Sequence, residues 1–283
     1  MNTKPQTISL TGKTVPSVGY GTMRLPGDKV WGPPKDHDTA IKVLQRAVEL
    51  GVKVFDTAWF YGPNVSNELM AEALHPYADD LIIITKLGGA RDNEANWIPF
   101  KTPAQLREGM ENDLRTLKLE SIPVVHLRWM EGHGGTPEEY EIALDTMLEM
   151  QKEGKFQHLG LSTVSEEQLD IALGKTKIVT ISNPYSLGDK KDDAMIDRCE
   201  KEEIAYLPYF PLAMGKMDNQ PILKKWADEL GVTASQIALA WLLKRSPAML
   251  PIPGTSNITH LEENVAAGSI ELSDEAFVEI SSI

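Results

Sequence analysis

"VFDTAWFYG", residues 54–62, leaves an apolar run through an aspartate and, five residues later, reaches a tyrosine before a glycine. Val54 and Phe55 suit a buried strand, and Asp56 and Tyr61 put an acid and a phenol where that strand ends. The same event recurs downstream. "LIIITK", 81–86, closes on Lys86, and "IPVVH", 122–126, closes on His126. Apolar runs that each finish in an ionisable side chain read as parallel strands: their faces are covered by helices, and their ends meet the solvent.

Working outward, the pattern fills the chain. The runs "SVGYG", "VKVFD", "LIIITK", "IPVVHL", "FQHLGLS", "KIVTIS", "IAYLPY" and "MLPIPG" alternate with amphipathic stretches. The helical stretches are 39–50, 67–74, 103–117, 137–151, 166–172, 192–203 and 233–243. Pro103 and Pro137 fall early in helices, where a missing N–H costs nothing. Gly51, Gly154 and Gly231 follow helix ends. Strands alternating with helices imply βαβ units. A (β/α)8 barrel, the TIM-barrel fold, takes about 250 residues. The 283 residues therefore read as one barrel over 1–283, with no linker dividing it. The opening "TISLTGKTVPSVGYGTM" reads as an N-terminal β-hairpin turning at Thr11-Gly12-Lys13, a lid on the barrel. An open dinucleotide-binding sheet would carry G-x-G-x-x-G after its first strand, and "GYGTMR" lacks the third glycine.

Composition excludes several partners. With 28 Lys and Arg against 41 Asp and Glu, the net charge is −13, unsuited to nucleic acid or an anionic membrane. A single cysteine, Cys199, rules out an intrachain disulfide and Cys-rich metal sites. No apolar run approaches the roughly 20 residues of a membrane span. "MNTKPQ" leads into no apolar run, so no secretory signal is read there, and a cytoplasmic protein is the expectation.

In a barrel the strand ends share one rim, which gathers Asp56, Tyr61, Lys86 and His126. Singly, each has an ordinary explanation: a turn cap, a wall residue, a lysine reaching for solvent, a satisfied core histidine. Together they make a proton-transfer set. A phenol titrates near 10, an ammonium beside it favours the phenolate, and a carboxylate keeps the ammonium charged and in place. Tyr61 then serves as general acid, Lys86 tunes it, Asp56 anchors Lys86, and His126 orients a carbonyl oxygen. Hydride must come from elsewhere, because no side chain supplies it; a nicotinamide cofactor is implied.

The segments "GYGTM", "FDTAWFYG", "ITK", "VVHLR", "GLS", "YFPL" and "IPGTSNITHLEEN" resemble the aldo-keto reductase family in their order, over essentially the whole chain. Through "WGPP", "FYGP", "DDAMID", "FPL", "ALAWLL", "RSP" and "IPGTS" the chain is most similar to the bacterial pyridoxal reductase-like branch. The resemblance puts Asp56, Tyr61, Lys86 and His126 on the family's catalytic tetrad and implies NADPH/NADP+ as cofactor. It implies Gly21, Thr22 and Met23 beside ribose and nicotinamide, and Ser162 on the carboxamide. Tyr209 should stack on the ring. Phe210, Leu212 and Gly215 should line the pyrophosphate. Gly254, Thr255, Ser256 and Asn257 should meet the adenosine phosphate, with Glu263 and Asn264 at the adenine. Some positions depart from the family. Thr163 stands where asparagine is usual and Ser182 where glutamine is usual, with Asn183 as an auxiliary donor. Gly254 and His260 replace the lysine and arginine that usually meet the 2′-phosphate, which leaves NADH as an alternative.

Trp31, Trp59, Phe60, Trp97 and Trp129 sit on or near rim loops and read as walls of a flat, partly apolar substrate pocket. Such walls suit pyridoxal, a terpenoid ketone or a sugar-like ring. The partner is a small carbonyl or alcohol substrate, and the chain reads as a monomer or weak homo-oligomer. A cofactor-sensing subunit with little turnover is the alternative, and a metal-dependent hydrolase ranks last because His126 has no H-x-H partner.

Overall fold

The structure, a computed structural model, describes residues 5–129, 135–215 and 220–283. Residues 1–4, the larger part of "MNTKPQ", lie outside them. The chain opens with β1 (Thr7–Leu10) and β2 (Lys13–Pro16), then β3 (Tyr20–Gly21), α1 (His37–Glu49), β4 (Val54–Asp56) and α2 (Val65–Leu74). Next come β5 (Ile82–Arg91), β6 (Trp97–Phe100), α3 (Pro103–Leu117), β7 (Ile122–Arg128), α4 (Pro137–Lys152), β8 (Phe156–Ser162) and α5 (Glu166–Leu173). The series ends with β9 (Ile178–Ser182), α6 (Asp193–Lys201), β10 (Ala205–Tyr206), α7 (Pro221–Leu230), α8 (Ala234–Arg245), α9 (Ile258–Ala266) and α10 (Asp274–Ser281).

The sheet runs β3-β4-β5-β7-β8-β9-β10 with parallel pairing throughout. The eighth apolar run closes it without a regular ladder. Leu250 donates its N–H to the Tyr206 carbonyl at 2.8 Å, and Gly19 donates to the Pro251 carbonyl at 2.9 Å. Pro251 and Pro253 have no N–H to give, so the "MLPIPG" run bridges its neighbours as an irregular eighth strand. The fold is the (β/α)8 barrel.

Local chemistry explains the helix starts. Thr102, Thr136, Ser165 and Thr233 each accept from the N–H three residues on, and the Gln or Glu there reaches back. Gly51, Gly154 and Gly231 all take positive φ at helix ends, as read. The helices α7 and α10 were not among the segments read from the sequence.

Two apolar layers result. One lies between strands and helices. The other fills the barrel interior with Val54, Ile82, Ile84, Val124, Leu207, Leu250 and Ile252, and the hairpin adds Leu10 and Val15 to it. The hairpin thus plugs the end of the barrel away from the catalytic rim. Its turn is tighter than read: Thr11 and Gly12 alone take positive φ, and Lys13 pairs with Leu10 inside the ladder.

Candidate active site

Strand register brings the ionisable ends together. Asp56 ends β4, and Lys86 lies in register with His126 across β5 and β7. Lys86 Nζ donates to both Asp56 oxygens, at 2.5 and 2.6 Å, and to the Thr57 carbonyl at 3.3 Å. Both side chains are almost fully buried. Burial alone would discharge the ammonium, but Asp56 and the Tyr61 phenol hold Lys86 above its ordinary value. Lys86 Nζ stands 5.5 Å from the Tyr61 ring centroid. Burial raises the Tyr61 phenol, and Lys86 and Arg128 act against that rise. The ammonium therefore moderates the phenol's pKa without bringing it below 10, a weaker effect than the sequence suggests.

His126 sits deeper. It is fully buried, and its Nε2 is 2.7 Å from Thr180 Oγ1 while its Nδ1 has no partner. Desolvation, then Lys86 and Arg128, lower it well below 6.5, so the ring is neutral at physiological pH.

A cavity of about 780 Å³ opens over this cluster, within the size range of small-molecule sites. Gly21, Met23, Asp56, Phe60, Tyr61, Lys86, Tyr209, Phe210, Leu212, Gly215 and Gly254 line it. A neighbouring cavity of about 450 Å³ is lined by Thr255, Ser256, Asp36 and Thr39, and shares Met23, Arg24, Lys29, Val30 and Gly254 with the first. The two form a long groove from the strand ends to the start of α9. Tyr20 pins its far wall by donating to the Thr255 carbonyl at 2.5 Å. A Cβ at Gly254 would lie 2.5 Å from the Gly21 carbonyl oxygen, so the family's usual side chain there would need the backbone to move.

Other residues read as cofactor contacts stand back from the groove. Thr22, Ser162 and Ser182 are fully buried, and the Thr22 and Ser182 hydroxyls have no partner. Thr163 takes φ 58, a left-handed geometry rare for a β-branched residue, and its hydroxyl lies 3.3 Å from the Tyr209 hydroxyl. Asn183 is not free to assist: its amide binds Val164 on both backbone atoms and also Asp192. Asn257 caps α9 by accepting from the His260 N–H, and His260 is exposed. Glu263 is half-buried and Asn264 buried on the same helix, and neither lines the groove.

The tryptophans separate. Phe60 and Trp97 line the cavity; Trp59, Trp129 and Trp31 do not. Trp59 packs edge-on to Phe100 and lies against Gly109 of α3. Trp129 packs on Tyr140 of α4, because it follows Arg128 and strand alternation turns it outward. Trp31 lies behind Arg91. The sequence reading missed the ribbon that overhangs the cavity. β5 continues past Lys86 to Arg91 and pairs antiparallel with β6, which brings Arg91, Ala95 and Trp97 to the wall. It also missed Arg128, one alternation beyond His126 on β7. Among the described residues, no group of three metal-binding side chains converges. No helix among them is long and apolar enough to cross a membrane.

A closed barrel with a buried Asp–Lys pair under a tyrosine at its C-terminal rim is the frame of a carbonyl oxidoreductase. The chain belongs to the aldo/keto reductase family, whose model matches residues 17–283. It is 44% identical over 279 residues to a pyridoxine 4-dehydrogenase of Escherichia coli, covering 98% of each chain. An uncharacterized oxidoreductase of Schizosaccharomyces pombe is 38% identical, over 97% of this chain and 88% of that one. Among solved structures, a thermostable aldo-keto reductase in complex with the inhibitor epalrestat superposes with a TM-score of 0.84 at 25% identity, covering 98% of both chains.

Proposed function

We propose that this chain interconverts pyridoxal and pyridoxine with NADPH/NADP+, using Tyr61 as the proton donor in the direction of reduction. The observation that carries the chemistry is Lys86, gripped by Asp56 at 2.5 and 2.6 Å and standing 5.5 Å from the Tyr61 ring. The substrate reading draws on the relative named pyridoxine 4-dehydrogenase, at 44% identity along the full chain.

The groove suits the cofactor. Its two cavities, of about 780 and 450 Å³, share Arg24 and Lys29 where they meet, and the buried hydroxyls of Thr22 and Ser182, set back from the groove, lack partners. Arg24, Lys29, Thr255 and Ser256 would hold phosphates, and Tyr209 would stack on the nicotinamide. When bound, NADPH supplies hydride to the carbonyl carbon. As the carbonyl electrons move to oxygen, Tyr61 gives that oxygen its proton. Lys86 stabilises the phenolate left behind, and Asp56 keeps Lys86 charged and fixed. Phe60 and Trp97 exclude water from the reacting face.

Steady-state oxidation of NADPH tests this with pyridoxal beside benzaldehyde and a sugar aldehyde, and with NADP+ and pyridoxine in reverse. Turnover of pyridoxal with the highest kcat/KM is the expected result. Efficient reduction of the other aldehydes with none of pyridoxal would overturn the substrate reading and leave the carbonyl chemistry standing.

A further inference from the structure

The larger cavity has an unbalanced charge. Among the described residues, Asp56 is the only carboxylate on its wall, and both its oxygens are taken by Lys86. Four other cations line the same wall: Arg24, Lys29, Arg91 and Arg128. Arg24 and Lys29 also line the second cavity, at the end where the cofactor phosphates would bind. Arg91 is committed. Its guanidinium donates to the carbonyls of Val30, Lys29 and Ala95 and lies 4.1 Å from the Trp97 ring centroid.

Arg128 is different. It lines only the larger cavity, two residues from His126 on one strand face, and its side chain has no hydrogen bond or ion pair among the described residues. Its Nε is buried and unpartnered, and its guanidinium carbon lies 5.6 Å from the Tyr209 ring centroid. Its backbone is held tightly against β5: Gly88, at φ 109, passes so close that a Cβ would lie 2.2 Å from the Arg128 carbonyl oxygen. Its charge reaches the whole cluster, contributing to the shifts of Asp56, Tyr61, Lys86 and His126. A half-buried guanidinium with no counter-ion among the described residues is costly, and that cost is recovered when an anion arrives.

We infer that Arg128 is a substrate-binding residue that pairs with an anionic oxygen ortho to the reacting carbonyl. This rests on the reading that a carbonyl is reduced beside Tyr61. Arg24 and Lys29, shared by both cavities, would serve the cofactor phosphates, whereas Arg128 lines the larger cavity alone, beside Tyr61 and Lys86, where the substrate would sit. An arylaldehyde with an ortho carboxylate has the required form, and so has pyridoxal, whose phenolic oxygen beside the aldehyde is ionised in its neutral zwitterion. A guanidinium fork accepts either.

The test compares kcat/KM for 2-carboxybenzaldehyde, benzaldehyde and pyridoxal with NADPH, in wild type, Arg128→Met and Arg128→Lys. The wild type should favour 2-carboxybenzaldehyde over benzaldehyde. Arg128→Met should shrink that ratio about 10- to 100-fold, chiefly through KM, the scale of a hydrogen-bonded charge. Arg128→Lys should restore part of it. NADPH dissociation constants and thermal melting of the variants control for folding. A ratio equal in wild type and Arg128→Met, or no preference for the carboxylate in wild type, would overturn the inference. A preserved Arg128-dependent ratio with no turnover of pyridoxal would uphold the anion site and refute the pyridoxal reading alone.

Discussion

Burial raises the Tyr61 phenol, while the Lys86 ammonium and the Arg128 guanidinium oppose it. Reduction needs the protonated phenol, so activity is lost as pH rises through the phenol's pKa. Removing Lys86 leaves burial less opposed and moves that pKa higher. Lys86→Met should therefore shift the alkaline limb of the pH–rate profile to higher pH, and kcat should fall because the phenolate loses its counter-charge. An alkaline limb unmoved in the variant would mean that Lys86 does not tune the phenol. The acid, the lysine and the histidine were legible because each ends an apolar run, and the phenol because it follows Asp56 by five residues. Arg128 and Arg91 were not, because β7 and β5 continue past His126 and Lys86 into stretches that look like loop. Trp129 follows Arg128, and alternation turns it to α4; Trp59 lies in the turn after β4 and packs on Phe100 and Gly109 of α3, orientations the sequence alone left open.

Behind the strand ends, α2 and α3 are tied to β4 and β5 by a buried polar chain. The Thr57 hydroxyl donates to Asn67 Oδ1, the Asn67 side-chain amide donates to Asp113 and Thr116, and the Thr85 hydroxyl donates to Asp113, all at 2.7–3.0 Å. Thr57 and Thr85 are the neighbours of Asp56 and Lys86, so this network fixes the backbone carrying the catalytic pair. Burial pushes Asp113 up to about 7, against its bonds to Thr85 and Asn67. The folded protein therefore binds this proton more tightly than the unfolded chain does. The resulting stability is complete below about pH 4 and is lost as pH rises through about 7. Urea titrations should show that slope in the wild type, and Asp113→Asn should flatten it. Asp113→Ala should cost more, about 1–3 kcal/mol for each partner left unsatisfied. A wild type and an Asp113→Asn variant with parallel pH dependence would exclude Asp113 from the titration. Little of this network was legible, since the stretches 67–74 and 103–117 show helices but not that Asn67 and Asp113 on them turn inward to meet across the two.

Across the whole molecule, stability and chemistry occupy opposite ends of the barrel. The hairpin residues Leu10 and Val15 pack into the barrel interior with Val54, Ile82 and Leu250. Leu10→Ala should destabilise the fold by about 2–5 kcal/mol. Its kcat at a temperature where it stays folded should match the wild type, because no catalytic contact reaches that end. A large loss of kcat in the folded variant would show the ends to be coupled. The barrel itself was readable from alternating runs and helix caps; its irregular closure was foreshadowed only by Pro251 and Pro253. The account depends most on proton transfer by Tyr61. The direct measurement is kcat for NADPH-dependent pyridoxal reduction by Tyr61→Phe, alongside the variant's NADPH dissociation constant. The account predicts a fall of about 10²–10⁴ in kcat with cofactor affinity close to wild type. Near-normal turnover by the phenylalanine variant would contradict it.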